Sequence, residues 1–299
     1  MGKIGVKRLL ALVFGLLLAV PAMLVLPAAP AGAAPGLWVV RDGDTEITIF
    51  GTMHALPANE TWLVAPLTTR LDAADTLVME IVLPEDQAAL APLVASLGLR
   101  PGQRPLAQRV SKPAAARLAA TAQRIGVPLA MLDRMATWLA ALTISEATLT
   151  SLGFSSDAGV EPALHKRARA AGKPVIGLET AEQQLRFLDN LPETDQVAML
   201  EATLDESAGA REQTDRMVAL WRAGDVDTLA RDFDKDASAS PLLAKVLITD
   251  RNARWADWVA GVMKRPGKVF VAVGAGHLGG PQGLLALLKA KGLTVEKVG

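Results

Sequence analysis

From residue 37 onward the apolar and polar positions follow two rhythms. In "LWVVRDGDTEITIF" they alternate on either side of Asp42-Gly43, which predicts a hairpin with strands near 37–41 and 45–50. "DTLVMEIVL", "VPLAMLD", "KPVIGLE" and "KVFVAVG" are short apolar runs bounded by Gly, Pro or charge, as expected of strands buried on both faces. Elsewhere apolar residues return every three or four positions. This spacing predicts helices in "TWLVAPLTTRLDAA" and over 85–98, 104–124, 134–150, 158–171, 181–223 and 240–264. Strands alternating with helices imply an α/β fold, with a mostly parallel central sheet, an N-terminal hairpin and flanking helices. The stretch from about 181 to 264 holds no strand-like run and reads as a helical insertion within one domain, residues 34–299.

The first 33 residues break this pattern. Lys3, Lys7 and Arg8 precede an uncharged stretch from Leu9 to Leu26, and Ala31-Gly32-Ala33 fits a small-residue cleavage site. The reading is a signal peptide over 1–33 and an exported, periplasmic or secreted chain. An uncleaved anchor is the alternative, because 18 residues of helix span about 27 Å. Lys+Arg and Asp+Glu number 31 each, so without the leader the balance is slightly acidic. A nucleic-acid partner, which needs a basic surface, is not expected. The chain has no cysteine, so disulfides, thiolate nucleophiles and zinc–cysteine sites are excluded, and any metal must be held by His, Asp or Glu.

In open α/β sheets ligands gather beyond the carboxyl ends of the strands. Read this way, the hairpin's second strand ends in Gly51-Thr52-Met53-His54. The next carries Glu80, a third ends at Asp133, a fourth at Glu179, and the last runs into Gly274-Ala275-Gly276-His277. Two histidines and a carboxylate, with positions left for water, match the donor count of many hydrolytic or redox metal sites. The glycines are expected to turn the chain with φ > 0 after each strand. Gly279-Gly280-Pro281 is expected to open the last helix, beside His277. Each feature also has a structural reading. Either histidine alone can be a hydrogen-bonded core residue, and Glu80 in its apolar run needs a partner that a salt bridge supplies equally well. Glu179 precedes Thr180-x-x-Gln183, a capping-box pattern. His165, among Lys166, Arg167 and Arg169, reads as part of a solvated face. Arg251 shares a helical stripe with Ile248, Trp255, Trp258 and Val262 and requires an acid or an anionic ligand opposite, while Asn252 is expected to point elsewhere.

"GTMH", "LVMEI", "GVEPALHKRARAAGKPVIGLETAEQQL", "DRNARWADWV" and "FVAVGAGHLGGPQGLLALLKAKG" together resemble the TraB/GumN (TraB/PrgY/GumN) family, related to the Tiki metalloproteases, over about residues 37–298. The family also resembles erythromycin-esterase-like and ChaN-like α/β proteins, which implies a central sheet with flanking helices. In Tiki proteins two G-x-x-H motifs and a glutamate accompany metal-dependent peptide cleavage. The resemblance places these at Gly51/His54, Glu80 and Gly274/His277. It implies a divalent ion (Mn²⁺, Co²⁺ or Zn²⁺) on His54, Glu80 and His277, and a peptide or small-molecule substrate. Glu179 or Asp133 is expected to take a proton from the ion's water, and Arg251 to hold a substrate carboxylate or the developing oxyanion. A peptide-sequestering module and a metal-free esterase-like hydrolase with a histidine base are the alternatives.

Overall fold

The computed structural model describes residues 35–298 apart from 85, 238 and 239. The expected leader, 1–33, lies outside the described residues. The hairpin forms where alternation predicts it. Strand β1 (Leu37–Arg41) pairs antiparallel with β2 (Thr45–Thr52), Leu37 opposite Phe50 and Arg41 opposite Glu46. The Asp42 carboxylate accepts from the Thr45 N–H at 3.0 Å and so ties the turn. Leu56–Pro57 (β3) and Phe154–Ser155 (β5) make a small separate ribbon. The main sheet is completed by β4 (Thr76–Met79), β6 (Val175–Gly177), β7 (Gly267–Gly274) and β8 (Val295–Lys297), in the order β6-β4-β7-β2-β1-β8. The β6–β4, β4–β7 and β7–β2 pairs are parallel, and β1 is antiparallel to both its neighbours. This is the mostly parallel sheet expected from the sequence. Strand β8 was not expected, because Val295-Glu296-Lys297 has no apolar run; its order comes from pairing with Trp38–Val40.

Successive residues of the buried strands serve opposite faces. Phe50, Leu77, Met79, Phe270 and Ala272 join Leu67, Leu71, Val160, Leu164 and Trp221 in one core layer. Ile47, Ile49, Val78, Val271 and Val273 join Trp255, Ala256, Val259, Leu284 and Leu288 in the other. A third core is helical throughout. It takes Leu97, Leu118, Ala122, Trp138, Leu142, Leu185, Leu200 and Leu204 from helices Ala91–Gly98, Lys112–Ile125, Thr137–Ser151, Ala181–Asp189 and Glu193–Glu206. Among the described residues, no helix is long and apolar enough to cross a membrane.

Several local expectations fail for identifiable reasons. "VPLAMLD" is a helical turn, Leu129–Leu132, rather than a strand. Pro128 fixes a compatible φ in front of it, and Leu-Ala-Met-Leu has no β-branched residue to resist helix. "TWLVAPLTTRLDAA" is helical only over Leu67–Ala73, because proline at 66 restricts the residue before it. The last helix begins at Leu284 rather than at Pro281, and Ala275–His277 is a separate turn of 3₁₀ helix. The segment 240–264 is helix interrupted at Lys245–Thr249 by one π turn, which ends two residues before Arg251.

Candidate functional site

All four parallel strands deliver their carboxyl ends to one side of the sheet, and each is followed within three residues by a chemically active side chain. His54 comes two residues after β2, Glu80 directly after β4, Glu179 two after β6 and His277 three after β7. The Trp221 indole N–H holds the end of β2 by donating to the Gly51 carbonyl at 2.8 Å. The Glu179 N–H donates to the Glu80 carbonyl at 2.8 Å, extending the β4–β6 pairing to the two acids.

The glycines of the two motifs serve proximity rather than turning. Gly274 has φ −50°, and neither it nor Gly51 takes a positive φ, contrary to expectation. A Cβ on Gly274 would lie 3.2 Å from Glu80 Oε1, 3.5 Å from His54 Nε2 and 3.5 Å from His277 Cδ2. The three side chains that the resemblance singles out therefore surround one point, and only glycine leaves it open. Gly159 has a similar role: a Cβ there would stand 2.1 Å from the His54 carbonyl oxygen. That close approach, with the Val160 N–H donating to Met53 O at 3.0 Å, sets helix Val160–Ala170 against the first motif.

The histidines have different partners. His54 Nδ1 lies 2.6 Å from Glu161 Oε1, with about a quarter of its side chain exposed. Burial opposes the imidazolium, but the Glu161 carboxylate outweighs it and Glu80 adds to it, so the His54 pKa is pushed up to about 9. His277 is buried. Its Nδ1 is 2.8 Å from Asn252 Oδ1, and its Nε2 is 3.1 Å from Arg251 Nη1 and 3.9 Å from Glu80 Oε1. Burial first, and then the Arg251 charge, lower its pKa to about 3. The ring is therefore neutral. The Asn252 amide donates through Nδ2 to the Gln282 carbonyl at 2.8 Å, which leaves Oδ1 to accept. His277 must then carry its proton on Nδ1 and turn the Nε2 lone pair toward Arg251 and Glu80.

Arg251 ties the set together. Its Nη2 donates to Glu80 Oε2, and its Nε reaches Glu179 Oε1 at 3.1 Å and Oε2 at 2.9 Å. Nη1 also donates to the Leu247 carbonyl, in the π turn, at 3.1 Å. The guanidinium carbon sits 4.6 Å from the centre of the Trp255 ring, which packs at 4.5 Å on the His277 ring. Glu80 Oε1 also accepts from the Gly274 N–H at 2.7 Å. Burial alone would raise the Glu80 pKa; Arg251 above all, then the histidines, hold it far below the usual carboxylate range. Glu179 also accepts from Arg254 at 3.2 Å and from Gln184 at 3.1 Å, so its oxygens are fully engaged.

Of the six residues picked from the sequence, five share this site. Asp133 does not: it follows the helical turn Leu129–Leu132 instead of ending a strand, and its carboxylate accepts from the Leu106 N–H at 2.7 Å. His165 is partly buried one turn beyond Glu161. Two further residues were missed. Glu161 follows Gly159 in a segment whose charges read as solvated. Asn252 was expected to point away, but the helix Asp250–Val262 buries Asn252, Trp255, Ala256 and Val259 as well as Arg251, a wider face than the single stripe. An amide among apolar neighbours at three- and four-residue spacing was the available signal.

Among the described residues, no three His, Asp or Glu side chains are gathered closely enough to grip one ion as they stand. Arg251 bridges Glu80 and His277, whose Oε1 and Nε2 stand 3.9 Å apart. The donor chemistry nonetheless fits a divalent ion. Each imidazole is engaged through Nδ1, by Glu161 or Asn252, and presents Nε2 near an anchored carboxylate oxygen.

An α/β protein with two strand-end histidines around a buried glutamate is the class that fold and site define. The chain belongs to the TraB/PrgY/gumN family, whose signature matches residues 36–297. It is similar to the protein YbaP of Escherichia coli (strain K12), 26% identical over 255 residues that span 85% of this chain and 92% of YbaP. YbaP of Shigella flexneri matches to the same extent. No solved structure matches the chain.

Proposed function

We propose that the protein is an exported hydrolase that cleaves a peptide bond with a divalent metal ion held by His54, Glu80 and His277. The observation that carries this reading is the convergence of those three side chains on the space left by Gly274, with Nδ1 of both imidazoles already engaged. When bound, such an ion supplies a Lewis acid for the scissile carbonyl and lowers the pKa of bound water toward about 7.

The chain's own residues have distinct tasks. Glu80, fixed through Oε1 by the Gly274 N–H, supplies the negative charge. Asn252 keeps His277 in the tautomer with a free Nε2. His54 must give up a proton before its Nε2 can bind, so affinity is expected to rise with pH. Glu179 holds Arg251 rather than accepting a proton, since Arg251, Arg254 and Gln184 occupy its oxygens. Arg251, whose Nη1 and Nη2 face His277 and Glu80, is the group suited to a substrate carboxylate or a developing oxyanion.

The test combines thermal shift with Mn²⁺, Co²⁺ or Zn²⁺ and mass spectrometry of peptides incubated with the protein. A melting point raised by at least one ion, together with cleavage abolished by chelator, is the expected result. Cleavage that survives chelation assigns the chemistry to a metal-free histidine base. Intact peptide that stays complexed makes the protein a sequestering module.

A further inference from the structure

We infer that Arg251 is the resident counter-ion of Glu80, and that a divalent ion enters this site by exchanging with the guanidinium head rather than by adding to it. The inference rests on the metal reading above and concerns how the site is regulated. Glu80 is about one-tenth exposed, and a carboxylate so buried requires a cation at all times. The cation present is Arg251, itself 3% exposed, with Nη2 on Glu80 and Nη1 at 3.1 Å from His277 Nε2. Those are two of the three donors an ion would use. Guanidinium and ion cannot both hold them, and their charges repel at this range.

The remaining contacts allow the exchange without dismantling the site. Arg251 Nε is held by both Glu179 oxygens, at 3.1 and 2.9 Å, a grip that does not involve Glu80. Glu179 Oε2 also lies 2.9 Å from Nη2, so the head, which packs over Trp255 and Phe187, keeps a carboxylate partner when it tilts away from Glu80. Glu80 does not lose every donor when the head leaves. Gly274 N–H holds Oε1 at 2.7 Å, and Gln184 Nε2 reaches Oε2 at 3.3 Å while also bonding Glu179 at 3.1 Å. Exchange also takes one N–H of Nη2 from Glu80 and one of Nη1 from His277, so the receptor for an anionic substrate group forms only when the ion is in place. The ion is then expected to bind first and to raise affinity for the anionic group.

The experiment is calorimetric titration of the full chain and its Arg251→Met form with Zn²⁺. The Met form should bind about tenfold or more tightly, because a competing charge has gone. Zn²⁺ bound by the wild type but equally or more weakly by the Met form defeats the exchange and leaves the metal site standing. Zn²⁺ bound by neither defeats the metal site and the exchange with it. Should the Met form not fold, the wild type decides by NMR of its Arg251 side chain. On Zn²⁺ saturation the Nη–H signals of the bonds to Glu80 and His277 should move while the Nε–H signal on Glu179 persists. Nη–H signals unchanged in Zn²⁺-saturated protein overturn the exchange.

Discussion

The two G-x-x-H segments end neighbouring parallel strands and place their imidazoles around the same glycine, yet hold them in opposite states. His54 faces Glu161 and keeps a proton up to about pH 9, whereas His277 faces Arg251 and remains neutral down to about pH 3. The motif is shared; the protonation state is set by what lies behind and in front of each ring. A carboxylate behind His54 stabilises its charge, while an amide behind His277 fixes a tautomer and a guanidinium in front repels a proton. Glu80 is the element common to both.

Removing Glu80's charge breaks the comparison most severely. Glu80→Gln leaves Arg251 buried against a neutral partner and should cost about 3–5 kcal/mol of stability, read by urea denaturation. A loss below about 1 kcal/mol would show that Glu179 alone satisfies Arg251.

The next largest effect is on His54. With Glu161→Gln the main cause of its raised pKa disappears, and the NMR-titrated value should fall by about 2 units or more. The sign for stability follows. A histidine raised from 6.5 to about 9 on folding adds stability that is fully present below about pH 6.5 and lost as pH rises through 9. His277 is lowered from 6.5 to about 3, so its contribution is present above pH 6.5 and lost as pH falls toward 3. Lowered carboxylate pKa values at Glu80 and Glu161 steepen the same acid limb. The Gln form at 161 should therefore lose most of the alkaline dependence between pH 6.5 and 9 and retain the part of the acid one that His277 and Glu80 supply. An unaltered alkaline limb would assign it to another group.

The smallest effect sharpens the comparison from the other side. Asn252→Leu should cost about 1–2 kcal/mol, leave His277 neutral, and release its tautomer, so the imidazole nitrogen shifts should report a mixture in place of Nδ1–H alone. A single unchanged tautomer would mean that Arg251, not Asn252, fixes the ring.

Much of this was legible in the sequence because it depends on strand periodicity. Alternation placed β1 and β2, the apolar runs placed β4, β6 and β7, and the residues at their carboxyl ends followed, which is why His54, Glu80, Glu179 and His277 were found together. Asp133 was misplaced for the converse reason: an apolar run of that length suits a strand or a buried helical turn equally, and Pro128 decided for the turn. Glu161 was invisible and Asn252 was pointed the wrong way because their importance comes from tertiary approach. Gly159 has to let one backbone pass the His54 carbonyl, and a helix has to be buried on more than one stripe. The glycines of the motifs were found for the wrong reason, since what matters is the missing Cβ and not a positive φ.

The most direct test of the metal assignment is anomalous diffraction from crystals of the full chain grown with Zn²⁺. One peak is predicted within bonding distance of His54 Nε2, Glu80 and His277 Nε2, with the Arg251 head withdrawn from Glu80. A chain saturated with Zn²⁺ elsewhere, with Arg251 still joined to Glu80 and His277, would contradict it.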